Sequence, residues 1–148
     1  MRTMWRKIFG TAALAFMLCL TGLIMSGAAF ADDRCVDNGD GTVTDSGTGL
    51  MWQKETAGPM DWEAAMSYAS GLSLGGHSGW RLSSRDELLG LFNSPCKSMV
   101  KVKLETYYWS STTYYQTNQA WYVSFNNGYV HYDYQTYSQY VRAVRAGQ

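Results

Sequence analysis

The segment AWYVSFNNGYVHYDY (residues 120–134) sets the character of this chain. Trp121, Val123 and Phe125 alternate with Tyr122 and Ser124, the period of two that belongs to a strand. Asn126-Asn127-Gly128 tolerates positive φ and turns the chain back, so residues 129–134 return as the partner strand. Along that return, Val130, Tyr132 and Tyr134 share one face and Tyr129, His131 and Asp133 the other. If Val130 faces the core, the second set is exposed.

Working outward, Tyr108 to Thr112 and Tyr140 to Val144 read as flanking strands. Upstream lie two helices. Asp61 is a plausible N-cap for the first, whose Trp62, Ala65, Met66, Ala69 and Leu72 recur at helical spacing as core, with Gly71 and Gly75-Gly76 ending it. The second opens on a capping box, Ser84-x-x-Glu87, carries Leu88, Leu89, Leu91 and Phe92, and stops at Asn93 to Pro95. Before the helices come Thr48 to Gln53 and a hairpin in which residues 35–37 and 42–44 flank Asn38-Gly39-Asp40-Gly41. Strands, two short helices, then strands imply an α+β fold with a mostly antiparallel sheet.

The N-terminus reads as a secretory signal peptide over residues 1–31. Arg2, Arg6 and Lys7 precede an apolar run over residues 8–25, and Ala29-Phe30-Ala31 places cleavage before Asp32. Residues 32–148 then form one domain, exported to the periplasm, the medium or the cell surface, with no stable membrane insertion after cleavage. That domain keeps nine basic and twelve acidic residues, a net charge of −3, so nucleic acid is a poor partner. It also keeps Cys35 and Cys96, which in an oxidising compartment most simply form one disulfide, two free thiols being the alternative.

The ordered motifs of this domain resemble the Lcl C-terminal domain family. The residues that carry the resemblance are VDNGDGTVTDSGTGLMWQK (36–54), Trp62, Gly79-Trp80-Arg81-Leu82, Asp86-Glu87-Leu88, Tyr108-Trp109-Ser110-Ser111-Thr112, Ala120-Trp121-Tyr122-Val123 and residues 140–145. Two departures are Ser83, where the family usually has Pro, and Arg145-Ala146-Gly147-Gln148, where it usually ends Arg-Gly-Gly-Gln. The resemblance implies a C-type-lectin-like fold and a secreted or surface protein. It also supplies a precedent, since the collagen-like adhesin that names the family binds sulfated glycosaminoglycans.

The chemistry points to binding. His77 and His131 lack recurring metal or base partners, and Cys35 and Cys96 do not map onto the catalytic cysteines of the related sulfatase-modifying enzymes. No enzyme, cofactor or metal is therefore expected. Asp37, Asn38, Asp40 and Asp45 miss the EF-hand order, and the proline-containing calcium motifs of animal lectins are absent, the domain's prolines being Pro59 and Pro95. Glycan recognition would be calcium-independent.

Tyr129 to Tyr140, with Tyr114 and Tyr115, has the Tyr, Ser and Asn composition of binding loops. Tyr114, Tyr115, Tyr129, His131, Asp133 and Tyr137 are the candidate ligand contacts; the competing reading has alternate tyrosines simply covering a small sheet. Lys97, Lys101 and Lys103 are candidate polyanion contacts, the last two sharing a strand face, and homo-oligomerisation would multiply so weak a site. The competing reading is a solvated strand edge that lysines protect. Two alternatives to a glycan or adhesion ligand stand beside this: a structural or assembly module of the envelope, and a protein-binding domain diversified by a retroelement. The latter would enrich Tyr, Asn, Ser, His and Asp near the C-terminus, although Gln135 and Gln139 fit it poorly.

Overall fold

Asn38 to Gly41 closes the first hairpin because Gly39 and Gly41 adopt φ of 74° and 90°, which a side chain would oppose. In this computed structural model, which describes residues 34–103, 106–115 and 118–147, that turn joins β1 (Cys35–Asp37) to β2 (Thr42–Asp45). The signal sequence expected over residues 1–31 lies outside the described residues. Next follow β3 (Leu50–Gln53), β4 (Ala57–Met60), α1 (Trp62–Gly71), β5 (Arg81–Leu82) and α2 (Arg85–Phe92). A 3-10 turn (Pro95–Ser98) leads to β6 (Tyr107–Thr113), β7 (Gln119–Ser124), β8 (Val130–Tyr134), β9 (Gln139–Val141) and β10 (Ala143–Ala146).

The fold is α+β: among the described residues there are two helices and ten strands in two five-stranded sheets, ordered β1-β2-β3-β10-β5 and β4-β9-β6-β7-β8. Every pairing is antiparallel except β6 with β9. β4 went unread in the sequence, since Gly58-Pro59 argues against a strand; it sits at the sheet edge, where a proline is tolerated.

Both helices are capped as their sequences predict. The Asp61 carboxylate accepts from the Ala64 N–H, and Ser84 and Glu87 exchange hydrogen bonds in a full capping box. Each helix closes one of two cores. Leu88 and Leu91 of α2 join Val43, Trp52, Tyr108, Val123, Phe125 and Val144. Ala65 and Ala69 of α1 join Met51, Trp80, Leu82, Trp109, Val141 and Ala143. Met66 departs from its expected core place and is exposed; half-buried Tyr68 fills the helix face instead, its hydroxyl accepting from Gln53 Nε2 at 2.7 Å.

Cys35 and Cys96 are joined in a disulfide, their Cα atoms 5.2 Å apart, which fastens β1 to the 3-10 turn. Arg142 lies between β9 and β10, where the chain passes from one sheet to the other. It is fully buried, and its Nη1 donates to the carbonyls of Gln53 (2.6 Å) and Lys54 (2.8 Å). Its Nη2 donates to Thr56 Oγ1, the Lys101 carbonyl and the Tyr108 hydroxyl. One guanidinium thereby ties β3, the segment after it, the Lys101 segment and β6 together.

The strand face expected for Lys101 and Lys103 does not form: residues 99–103 have no strand, and Lys97 lies in the 3-10 turn. The reason is the Arg142 clamp, which binds the Lys101 carbonyl to itself, while the Lys101 N–H donates to the Lys54 carbonyl.

Candidate functional site

The register of β7 and β8 places Trp121 opposite Tyr132 and Tyr122 opposite His131. Cross-strand partners share a face, so two aromatic sets form on opposite sides of one hairpin. On the α2 side, Tyr132 packs edge-on to Trp121 at 5.4 Å and stacks on Tyr114 at 3.8 Å, with ring planes only 12° apart. Tyr114 also meets Trp121 and Tyr115 edge-to-face, each at 5.2 Å. Tyr115 is 92% exposed. The Arg85 guanidinium stands 5.2 Å over the Trp121 ring, a cation–π contact, and its backbone N–H is held by Thr112 Oγ1. Arg85, Thr112, Thr113, Tyr114, Tyr115 and Trp121 line an open depression of about 410 Å³.

The stack continues around the edge of the sheet. His131 lies 4.7 Å from Tyr132 and 5.7 Å from Tyr129, with ring planes 18° and 17° apart. Tyr129, His131, Tyr132 and Tyr114 thus form one column of near-parallel rings. This works because β8 is an edge strand: the His131 Nδ1 reaches the Tyr132 carbonyl at 2.8 Å, wrapping the imidazole around the open side. Hydrogen bonding with the Tyr132 phenol, and then burial, raise Tyr114 above its ordinary value of 10.0, so its hydroxyl stays protonated at physiological pH.

Of the residues singled out from sequence, Tyr114, Tyr115, Tyr129 and His131 are brought together. Tyr114 is half-buried and Tyr129 exposed, and alternation alone had put Tyr132 on the face opposite His131. Asp133 is engaged within the fold: its carboxylate accepts from the Tyr134 N–H (2.9 Å) and from the side-chain Nε2 of Gln139 (3.3 Å). Tyr137 is exposed and packs on Tyr134 rather than on the column. Sequence reasoning missed Trp121, Tyr132 and Arg85. The Asn126-Asn127-Gly128 turn carried the signal for the first two, because it fixes the register that pairs them.

The three lysines do not gather into one face. Lys97 Nζ sits 3.6 Å over the Phe92 ring, Lys101 pairs with Glu55, and Lys103 Nζ is 5.4 Å from the Tyr140 ring centre. Among the described residues, the His, Cys, Asp or Glu groups whose ligand atoms converge are Cys35, Asp45 and Cys96. Their sulfurs are bonded to each other, and the Asp45 carboxylate accepts from Arg34 Nε at 2.8 Å. That set is a disulfide beside an ion pair.

A family model described as the Lcl C-terminal domain matches residues 41–145. The chain belongs to the Lcl C-terminal domain family. No curated protein matches it. Within this Lcl C-terminal domain, many residues that carry the family likeness are interior: Trp52, Trp80, Leu82, Trp109, Val123 and Arg142 are all buried. Those positions speak for the scaffold, while the aromatic column hangs on the β7–β8 hairpin and Tyr114. Among the described residues, no helix is long and apolar enough to cross a membrane.

Proposed function

We propose that this Lcl C-terminal domain is an exported, non-catalytic recognition module that binds a glycan or surface ligand by aromatic stacking, without calcium. The observation that carries this reading is the ring surface built from Tyr114, Tyr115, Trp121 and Tyr132. Its rings are rigid because each braces another, at 5.2 Å or closer for the Tyr114 contacts, so little side-chain freedom is lost when a ligand lands on them. Exposed Tyr115 and cationic Arg85 border the same depression and offer hydrogen bonds to a polar guest. The C-type-lectin-like grouping and the adhesin precedent, both drawn from the family resemblance, point the same way.

The test is a glycan array that includes sulfated polysaccharides, probed with the oxidised chain 32–148. Binding should be followed by a Trp121-sensitive fluorescence titration. Trp121→Ala and Tyr114→Ala should each weaken any hit by about tenfold, in line with losing an aromatic contact of about 1.4 kcal/mol. Failure of folded, oxidised protein to bind any glycan would sink the lectin reading. Replacing Lys97, Lys101 and Lys103 together should leave affinity and its salt dependence unchanged, because the ring surface and not the lysines makes the contact.

A further inference from the structure

On the other face of the same sheet, Tyr107 of β6 pairs directly with Ser124 of β7. The Ser124 N–H in turn donates to the Tyr129 carbonyl at 2.8 Å, so Tyr107, Ser124 and Tyr129 lie in one row across three chain segments. A small residue between two large ones leaves a notch. Its two walls stand two strand spacings apart, about 10 Å. Tyr107 and Tyr129 are 43% and 56% exposed, whereas Ser124 is buried as the floor. With Asn126 and Asn127 they line a depression of about 380 Å³, at the small end of ligand-binding cavities.

The chemistry of the notch differs from that of the aromatic column. Among the described residues, no charged side chain lines it. Its polar groups are largely uncommitted: Asn127 Oδ1 caps the Tyr129 N–H, but the Asn126 carboxamide and the Tyr107 and Tyr129 hydroxyls bond no group among the described residues. A carboxamide offers donors and an acceptor side by side, and a phenol offers both roles. Adjacent hydroxyls on a saturated ring ask for that mixture, while the ring's C–H faces suit tyrosine. An anion would find no cation here, and a purely apolar guest would strand the carboxamide.

We propose that the Tyr107–Ser124–Tyr129 notch is a second binding site, specific for a neutral hexopyranose. It goes beyond the function proposed above, and Tyr129 is the one residue it shares with the aromatic column. The test uses the oxidised chain 32–148, labelled with 15N, and three probes: methyl β-glucopyranoside, methyl β-galactopyranoside and methyl α-mannopyranoside. At least one should shift the Asn126 and Asn127 side-chain amide signals with a Kd on the order of millimolar, the range open to one small ring. Affinity should hold when salt is raised from about 50 to about 500 mM, since no ion pair is made. Asn126→Ala should lower it at least fivefold with the backbone spectrum unchanged outside the turn, the carboxamide having no partner to lose among the described residues. Tyr129→Phe should weaken binding less than Tyr129→Ala, separating the hydroxyl from the ring.

No amide shift with any probe at about 100 mM, a concentration that would populate even a weak site, overturns the proposal. Shifts confined to Trp121 and Tyr114 overturn it too, and leave the column as the saccharide site. Conversely, Asn126-dependent shifts alongside an unaffected Trp121 would establish the notch even if the column binds nothing.

Discussion

Arg142 brings a charge into the interior and meets it with oxygen dipoles: three carbonyls and two hydroxyls within 3.1 Å. Thr56 Oγ1 donates to the Lys101 carbonyl and so must accept from both Arg142 and Tyr108, while the two Nη2 hydrogens are shared among three acceptors. Burial lowers the Arg142 guanidinium below its ordinary value, yet an arginine stays charged at any physiological pH. Arg142→Met would strand several of these oxygens and should destabilise the domain by about 3 kcal/mol or more, read as a lower urea midpoint. Arg142→Lys should recover only part of this, since one ammonium cannot span the same fork. Glu87 supplies the pH dependence. Its bidentate pairing with Arg81, at 2.7 and 2.8 Å, chiefly holds its carboxyl below the ordinary 4.5, against burial and with help from the Ser84 N–H. Asp45, paired with Arg34, lies below 3.8 for the same reason. Folded values below the unfolded ones mean stability that is full above about pH 5 and lost as pH falls through the folded values. Glu87→Gln should flatten the upper part of that decline in a pH series of thermal melts. Its loss at neutral pH should be about 1 kcal/mol, limited by solvent screening of half-exposed Arg81.

At the scale of elements, much is legible in the sequence itself. Short-range rules found the capping box at Ser84, the Asp61 cap and both glycine-turned hairpins, because each is decided by neighbours a few residues away. Three features were not legible, each for a long-range reason. β4 needed β9 to make Gly58-Pro59 a strand. The lysine segment needed Arg142, some forty residues on, to hold it out of a strand. The ring column needed β8 to be an edge, which no local pattern states. That edge is guarded: the outward Tyr132 carbonyl is met by His131, and the Tyr134 N–H and carbonyl by Asp133 and the Tyr137 N–H. Edge strands left open invite pairing with another chain. The double variant His131→Ala/Asp133→Ala should therefore show a larger concentration-dependent mass than the parent in sedimentation. An unchanged mass would mean that the tyrosine rings alone protect the strand.

For the molecule as a whole, the Cys35–Cys96 bond closes a loop of 61 residues around β2, β3, β4, β5 and both helices. Such a loop is worth about 4 kcal/mol through the unfolded chain, a large share of what a small domain has. Cys35→Ser/Cys96→Ser, or reduction, should lower the denaturation midpoint accordingly. A loss below about 1 kcal/mol would show that the two cores carry the fold alone. The strand order has a further consequence, one of timing. Among the described residues β10 is the last strand, yet it lies between β3 and β5 and pairs residue 144 with residue 52. Synthesis delivers that strand after the other described elements have emerged, so the first sheet stays split between β3 and β5 until then. β3 and β5 therefore wait without their shared neighbour, and the sheet closes between them only when residues 143–146 arrive.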